Sequence, residues 1–200
     1  LLWLAGSIED GLISFNKESN ELKRYNYLAE EEVRRYSYIL SINSDNKGNI
    51  WLATDYGIVR FNKETNKYVR YTEDEGLPNN FVYGILFDDE GNLWASTNYG
   101  ITKFDIEEEK FINFNRTDGI QGNEFNQYAY FKSLSGEMFF GGTNGLTSFM
   151  PEQIKEKEFI TNVEIEAISS NCGKVIIGDE IKLMETRRSC RNFDKKKMVS

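Results

Sequence analysis

The stretch Gly-Asn-Ile-Trp-Leu-Ala-Thr at residues 48–54 returns as Gly-Asn-Leu-Trp-Ala-Ser-Thr at residues 91–97. Each copy is followed by a Tyr-Gly pair and by a phenylalanine four residues after that glycine. Two fainter copies flank them, and the repeated phenylalanines lie at intervals of 46, 43 and 45 residues: Phe15, Phe61, Phe104 and Phe149. A period of about 40–50 residues is typical of repeat architectures, in which each repeat is one supersecondary unit.

Each repeat has the pattern of four short strands joined by tight turns. The clearest copy, residues 80–115, predicts strands at 82–87, 93–97, 101–105 and 110–115. The turns between them are rich in Gly, Asn and acidic residues, which favour tight hairpins. Four-stranded sheets that repeat every 45 residues or so are typical of a β-propeller. The tryptophans and phenylalanines are then predicted to pack between neighbouring blades rather than to bind a ligand.

The sequence therefore predicts an all-β chain, a β-propeller fragment of about four blades followed by partial β-sandwich strands. Residues 1–155 hold the blades, of which the first lacks an opening strand and the last lacks a clear closing strand. Residues 156–184 hold the sandwich strands, and the basic, polar segment 185–200 is predicted to be a disordered tail. Because four blades is the lower limit for a closed propeller, we expect exposed blade edges and self-association through them or through the sandwich.

Composition excludes several classes of function. The net charge is −8 and the pI is about 4.8, so binding to nucleic acid is not expected. The chain has no histidine, which removes Ser-His-Asp triads, histidine bases and histidine zinc sites. Cys172 and Cys190 are too few and too far apart for a zinc cluster, and their redox state stays open. No apolar window reaches the length of a membrane span, so membrane attachment would need a segment absent here.

The repeats resemble the two-component regulator propeller family. Its pattern is Asp-x-x-Gly-x-(Leu/Ile)-Trp-(Ile/Leu)-(Gly/Ala)-Thr, then Gly-Leu and an aromatic residue, and residues 45–61 and 88–104 are similar to it. Residues 136–151 look like the final repeat of such propellers. Residues 159–184 resemble the first strands of the small β-sandwich that follows them, called the Y_Y_Y domain. The tyrosines that give this domain its name are missing, since no tyrosine occurs after Tyr130.

This resemblance implies an extracytoplasmic, ligand-sensing input module on the periplasmic or cell-surface side of a membrane-anchored receptor. In relatives a transmembrane helix joins the propeller and sandwich to a cytoplasmic output, often a histidine kinase, and many of these sensors are tied to glycan uptake. Any kinase output would lie outside this segment, so the chain itself is not expected to be an enzyme. A small molecule or an oligosaccharide is the expected ligand, and its identity is open.

Ligands of propellers usually meet the face built from the turn between strands two and three and from the connection between blades. Asn and Tyr side chains there suit a sugar, because amides and rings match a hydroxyl-rich, half-apolar ligand. Asparagine also serves turns through its own backbone hydrogen bonds, and this second interpretation is the favoured one. The candidate ligand-binding residues are Asp55, Tyr56, Asn79, Asn80, Asn98, Tyr99, Asn123, Asn126 and Asn144.

Other functions have weaker support in the sequence. Paired carboxylates for a glycan-active enzyme would have to come from Asp55, Asp118 and Glu124. Residues 88–92 lack the spacing of a calcium loop, and residues 141–145 lack the Gly-Lys-Ser/Thr of a phosphate loop. WD-type propellers need Gly-His and Trp-Asp pairs, which are absent. We therefore predict no catalytic residue, no metal and no cofactor, and keep a protein-interaction scaffold as the alternative function.

Overall fold

A computed structural model describes residues 1–5, 11–25, 38–154, 165–168, 174–177 and 180–183 of the 200-residue chain. The chain forms two compact units, Leu1–Lys155 and Glu156–Ser200. The described residues contain β-strands and short 3-10 turns at Glu73–Glu75, Arg116–Asp118 and Pro151–Gln153. Within them, no helix has the length and apolar character that a membrane span requires.

The first unit consists of four antiparallel sheets, here called blades 1 to 4, in which each strand pairs with the next along the chain. Blade 1 holds β1 (Leu2–Ala5), β2 (Leu12–Asn16) and β3 (Glu21–Tyr25). Blade 2 holds β4 (Ile39–Ser44), β5 (Ile50–Thr54), β6 (Gly57–Asn62) and β7 (Lys67–Tyr71). Blade 3 holds β8 (Val82–Phe87), β9 (Leu93–Thr97), β10 (Gly100–Asp105) and β11 (Lys110–Phe114). Blade 4 holds β12 (Phe125–Lys132), β13 (Met138–Gly142) and β14 (Gly145–Phe149). The prediction of an all-β propeller fragment of about four blades is confirmed.

The second strand of each complete blade is its buried centre. All five residues of β9 are buried, and β9 pairs with β8 on one side and with β10 on the other. The turn into β10 depends on Gly100, whose φ is +101° and whose Cβ, if present, would lie 2.1 Å from the carbonyl oxygen of Phe114. Only glycine fits such a position, because the left-handed backbone and the close approach both disfavour a side chain.

Aromatic side chains fill the space between successive blades. Trp51 of blade 2 is fully buried, and its ring centroid lies 6.0 Å from that of Phe104 in blade 3. Trp94 of blade 3 is 1% exposed and lies 4.8 Å from Phe149 of blade 4. Rings of this size bury 150–250 Å² each, which at about 25 cal/mol per Å² contributes several kcal/mol per blade. The repeated aromatic side chains therefore pack between neighbouring blades, as the period of the sequence predicted.

A carboxylate ties the first hairpin of blade 3 to its tryptophan. Asp88 accepts hydrogen bonds from the backbone N–H groups of Glu90 and Asn92 at 3.1 and 2.8 Å. Its second oxygen accepts from the Asn92 amide at 3.0 Å and from Trp94 Nε1 at 2.9 Å. These acceptors satisfy the donors of a tight turn and a buried indole, so Asp88 stabilises the hairpin at residues 88–92.

Asp45 repeats this arrangement in blade 2 and accepts from Trp51 Nε1 at 2.9 Å. Burial opposes ionisation of Asp45, but hydrogen bonds from Trp51, Asn49 and Lys47 together hold its pKa below the ordinary value. Hydrogen bonds to the charged form have this effect because they stabilise the carboxylate relative to the neutral acid.

Blades 1 and 4 each contain three strands among the described residues. In blade 4, β14 pairs with β13 on one side, and no described strand pairs with its other edge. A cavity of about 180 Å³ lies between blades 3 and 4 and is lined in part by Trp94, Phe114, Phe149 and Ile154.

The second unit contains one antiparallel sheet in the order β15 (Ile165–Ile168), β16 (Lys174–Ile177) and β17 (Glu180–Leu183). A complete sandwich of the Y_Y_Y type stays a prediction. The predicted tail at 185–200, Cys172 and Cys190 lie outside the described residues.

Candidate functional site

One end of the blades, which we call the loop face, collects the turns and connections that the sequence singled out. It comprises residues 38–39, 54–57, 70–82, 97–100, 114–129 and 142–145. The pairing of the strands places these segments together, because Ile39 pairs with Thr54 and Val82 pairs with Thr97. The first strand of each blade therefore begins where the second strand ends.

Backbone hydrogen bonds link these segments into a continuous belt from blade 2 to blade 4. The N–H of Gly57 donates to Asn80 O at 2.6 Å, and that of Asn98 donates to Phe81 O at 3.2 Å. In the next blade the same two bonds recur, from Gly100 to Asn123 O at 2.7 Å and from Thr143 to Glu124 O at 3.2 Å. The belt brings candidate residues of successive blades to one surface with a fixed spacing.

Three of the predicted asparagines hold this belt with their own side chains. Asn80 Oδ1 accepts from the N–H of Glu73, and Asn123 Oδ1 accepts from that of Arg116, both at 2.9 Å. Asn79 Oδ1 accepts from the N–H of Phe81 at 3.0 Å. These contacts support the turn role for Asn79, Asn80 and Asn123, since a side-chain oxygen used in this way stabilises an otherwise unpaired backbone donor.

Two of the three carboxylates considered for the catalytic alternative, Asp55 and Asp118, have local partners. Asp55 Oδ1 accepts from the N–H of Tyr38 at 2.8 Å, and burial raises the pKa of this carboxyl above its ordinary value. Asp118 Oδ2 accepts from the N–H of Asn115 at 2.9 Å as part of a capping box. Both side chains therefore stabilise the ends of backbone segments.

The predicted tyrosines are exposed on the loop face. Tyr56 is 45% exposed, and the Arg70 guanidinium lies 5.4 Å from its ring centre while also donating to Tyr56 O at 2.7 Å. Tyr99, the equivalent residue in blade 3, is 54% exposed. The two rings are available to a ligand, and Tyr56 is also held in place by Arg70.

Asn98 belongs to a polar and aromatic cluster where blades 3 and 4 meet. The Tyr83 hydroxyl donates to Asn98 Oδ1 at 2.9 Å, and the ring of Tyr83 lies 4.9 Å from that of Phe81. Burial and the negative charge of Glu124 raise the pKa of Tyr83, so the phenol stays a donor at neutral pH.

Blade 4 departs from the other blades at the start of its first strand. In β8 a single residue, Tyr83, is extra between the pairs Val82–Thr97 and Gly84–Ser96. In β12 the four residues 126–129 lie between the pairs Phe125–Gly142 and Tyr130–Phe140, opposite Gly141 alone. We call residues 126–129 the blade 4 bulge.

The blade 4 bulge contains the predicted residue Asn126, its neighbour Gln127, and Tyr128, which sequence reasoning missed. All three are exposed, and Tyr128 is 76% exposed with a left-handed φ of +61°. The spacing of the repeat indicates the bulge, because Asn80 precedes Trp94 by 14 residues, whereas Asn123 precedes Phe139 by 16.

The last predicted residue, Asn144, is exposed in the β13–β14 turn. Its N–H donates to Gln121 Oε1 at 2.8 Å, and Gln121 Nε2 donates to Glu124 O at 3.0 Å. Gln121 therefore joins this turn to the connection that leads into the blade 4 bulge. No group of three or more His, Cys, Asp or Glu residues in the described part of the chain could hold a metal ion.

Comparison with known proteins agrees with this geometry. Residues 76–99 match the family model described as two component regulator propeller, and no curated protein matches the chain. A solved structure similar to the chain is the extracellular domain of a protein described as a hybrid two component system, BT3049 from B. thetaiotaomicron, with 29% identity and a TM-score of 0.64. The match covers 75% of this chain and 20% of that domain, so the chain spans about a fifth of its length.

Two more distant structures support the fold alone. The extracellular domain of BT4673 from B. thetaiotaomicron is 19% identical over 88% of this chain and 25% of that one, with a TM-score of 0.61. Virginiamycin B lyase from Staphylococcus aureus is 19% identical over 74% of this chain and 50% of that one, with a TM-score of 0.51. The match at residues 76–99 and the blade geometry together make these repeats similar to those of the two component regulator propeller family.

Proposed function

We propose that this chain is part of the extracytoplasmic, ligand-sensing input region of a two-component-type receptor. The observation that carries the proposal is the 29% identity to the extracellular domain of BT3049, shared over three quarters of this chain. The match of residues 76–99 to the two component regulator propeller family supports it independently. The chain would bind the ligand and transmit the binding signal, while any kinase output would reside in another part of the receptor.

A glycan-derived ligand suits the chemistry of the loop face. Tyr56 and Tyr99 present exposed rings at equivalent positions of neighbouring blades, and a pyranose ring offers an apolar face that packs on such rings. Substitution of both tyrosines by alanine should weaken ligand binding and leave the melting temperature nearly unchanged, because neither side chain is part of the core. A large fall in melting temperature would instead assign these rings to packing.

Sensing without catalysis is supported by two of the three loop-face carboxylates that a glycan-active enzyme could use. Asp55 and Asp118 already accept backbone hydrogen bonds, at 2.8 and 2.9 Å. A glycosidase needs two carboxyl groups that are free to face one another across a glycosidic bond. Turnover of a glycan by the purified chain, abolished by Glu124→Gln, would contradict this part of the proposal.

Self-association is proposed through the edge of β14. Among the described residues, no strand pairs with Gly145–Phe149 on the side away from β13, and unpaired strand edges pair with other chains. Sedimentation should show concentration-dependent dimers, which a proline at an edge position such as Ser148→Pro would reduce. A monodisperse monomer at all concentrations would refute this element.

The location of the segment can be tested in the full-length gene product. An epitope tag inserted in the exposed β6–β7 turn, at residues 63–66, should be cleaved by protease added to spheroplasts. A tagged cytoplasmic protein in the same cells is the control and should stay intact until lysis. Protection of the propeller tag until lysis would place the segment inside the cell and overturn the proposed function.

A further inference from the structure

The conformation of Tyr128 is unusual for its position in the fold. Among the described residues, the other non-glycine residues with positive φ are Asn20, Asn66 and Glu109, at 57°, 54° and 51°. They close the β2–β3, β6–β7 and β10–β11 turns, where left-handed backbone is ordinary. Tyr128 lies within β12, and a bulky residue in this region of φ is an outlier that costs stability.

The exposure of Tyr128 means that burial does not compensate this cost. Its side chain is 76% exposed, more than those of Tyr56 and Tyr99, although Tyr128 lies in the first strand of a blade. Asn126 and Gln127 beside it are exposed as well. Tyr128, a strained and exposed aromatic residue that follows two exposed amides, has no role in the packing of the described core, and such strain is concentrated at ligand sites.

The segment that leads into the bulge is held rigidly. Gln121 accepts from the N–H of Asn144 at 2.8 Å, donates to Glu124 O at 3.0 Å, and its own N–H donates to Thr147 Oγ1 at 3.0 Å. Gly142 makes room for this arrangement, because a Cβ there would lie 2.0 Å from Gln121 Nε2. The bulge is therefore presented on a fixed base.

The charges of the loop face limit which ligands could approach. Its described residues carry two guanidinium groups, of Arg70 and Arg116, against six carboxylates: Asp55, Glu73, Asp74, Glu75, Asp118 and Glu124. A surface with this excess of negative charge repels anions. The groups beside Tyr128 on the bulge are neutral amides, which both donate to and accept from hydroxyl groups.

We propose that the blade 4 bulge is a binding site for an uncharged, hydroxyl-rich ring, with Tyr128 as the stacking surface and Asn126 and Gln127 as hydrogen-bonding partners. The proposal rests on the proposed sensing function and adds to it a location and a selection against acidic sugars.

The test uses the full chain and two probe sets, neutral oligosaccharides of two to six pyranose units and their uronic acid counterparts, on an array and then by calorimetry. A neutral member should bind, and its acidic counterpart should bind about tenfold more weakly. Tyr128→Gly should weaken the neutral probe by about tenfold while the melting temperature stays equal or rises, because glycine accepts this φ without strain.

Two controls separate the ring from the fold. Tyr128→Phe should bind within about twofold of the wild type, since it keeps the ring. Phe131→Ala removes a ring that is 63% exposed on the same strand and should leave affinity unchanged. If Tyr128→Gly does not fold, Tyr128→Asn replaces it, because asparagine tolerates the left-handed region.

Three outcomes overturn the site: unchanged binding by Tyr128→Gly or its asparagine substitute, tighter binding of the acidic probes, or no binding by any neutral probe. Each of them leaves the proposed function standing if the propeller tag is cleaved in spheroplasts. Protection of that tag refutes the proposed function whatever the arrays show.

Discussion

Blades 3 and 4 derive from one repeat, yet they use its positions differently. In blade 3, Asp88 accepts from Trp94 Nε1 at 2.9 Å, and the Thr97 hydroxyl donates to Gly100 O at 3.0 Å. The corresponding residues of blade 4 are Ser133, Phe139 and Gly142. Blade 4 keeps the backbone turn, from the N–H of Ser133 to Glu137 O at 2.8 Å, but has neither the carboxylate nor the indole.

The loss of these side chains in blade 4 coincides with a change in shape at the loop face. Where Thr97 closes its own turn, Gly142 leaves room for Gln121 and for the carbonyl of Glu124, which would lie 2.0 and 2.3 Å from a Cβ at that position. The repeat motif thus stabilises blades 2 and 3, and its relaxation in blade 4 permits a separate surface.

The largest expected effect comes from the tryptophan position. Trp94→Ala should lower the free energy of unfolding by about 3–5 kcal/mol, because it opens a cavity and removes the indole partner of Asp88. Phe139→Ala in blade 4 should cost about half as much, since Phe139 is partly exposed and binds no carboxylate. Urea titrations of both variants measure the difference. Equal losses would mean that the two blades depend on this position alike.

The turn glycines should give the next largest contrast. Gly100→Ala adds a Cβ that lies 2.1 Å from Phe114 O at φ +101°, so strain and overlap together should cost about 2–4 kcal/mol. At Gly145 the φ is +128° but nothing lies within 4 Å, so alanine should cost only about 1 kcal/mol from backbone strain. Thermal unfolding of the two variants is the measurement, and a costlier Gly145→Ala would show that the blade 4 turn is the more constrained.

The sequence predicted the blades well because their determinants are local and repeated. Strands β8 and β9 have the predicted ends, since short apolar runs are bounded by turn residues that recur one period away. The bond from Trp94 to Asp88 was not predicted, because the aspartate also suits a turn and its second role depends on side-chain direction. Tyr128 was missed because the two extra residues in blade 4 alter pairing with β13, which no local pattern shows.

Smaller effects are expected from the threonine hydroxyls. Thr97→Val should cost about 1–3 kcal/mol, because the buried hydroxyl donates to Gly100 O and accepts from the N–H of Tyr99 at 3.0 Å. Thr147→Val in blade 4 removes the hydroxyl that accepts from the Gln121 N–H and should cost less than Thr97→Val. It should nevertheless weaken the neutral probe, because Gln121 supports the blade 4 bulge. Ligand calorimetry on both variants decides this, and a Thr97→Val variant that alone impairs binding would place the ligand on blade 3.

The smallest effect should be the pH dependence that Asp45 contributes. Its folded-state pKa lies below the ordinary value of 3.8, so its ionised form stabilises the fold above that pH, and this contribution is lost as the pH falls through the lower folded value. Asp45→Asn should therefore be less stable than the wild type at pH 6, and the gap should narrow at pH 3. Glu64→Gln, on the exposed β6–β7 turn, removes one charge without touching a tryptophan and is the matched control.

Blade 4 has Ser133 at the position of Asp45, and serine does not titrate. Acid should therefore loosen the hairpin of blade 2 before that of blade 4, and hydrogen exchange of the two turns measures this order. Earlier exchange in blade 4 would show that the carboxylate is not what distinguishes the hairpins in acid.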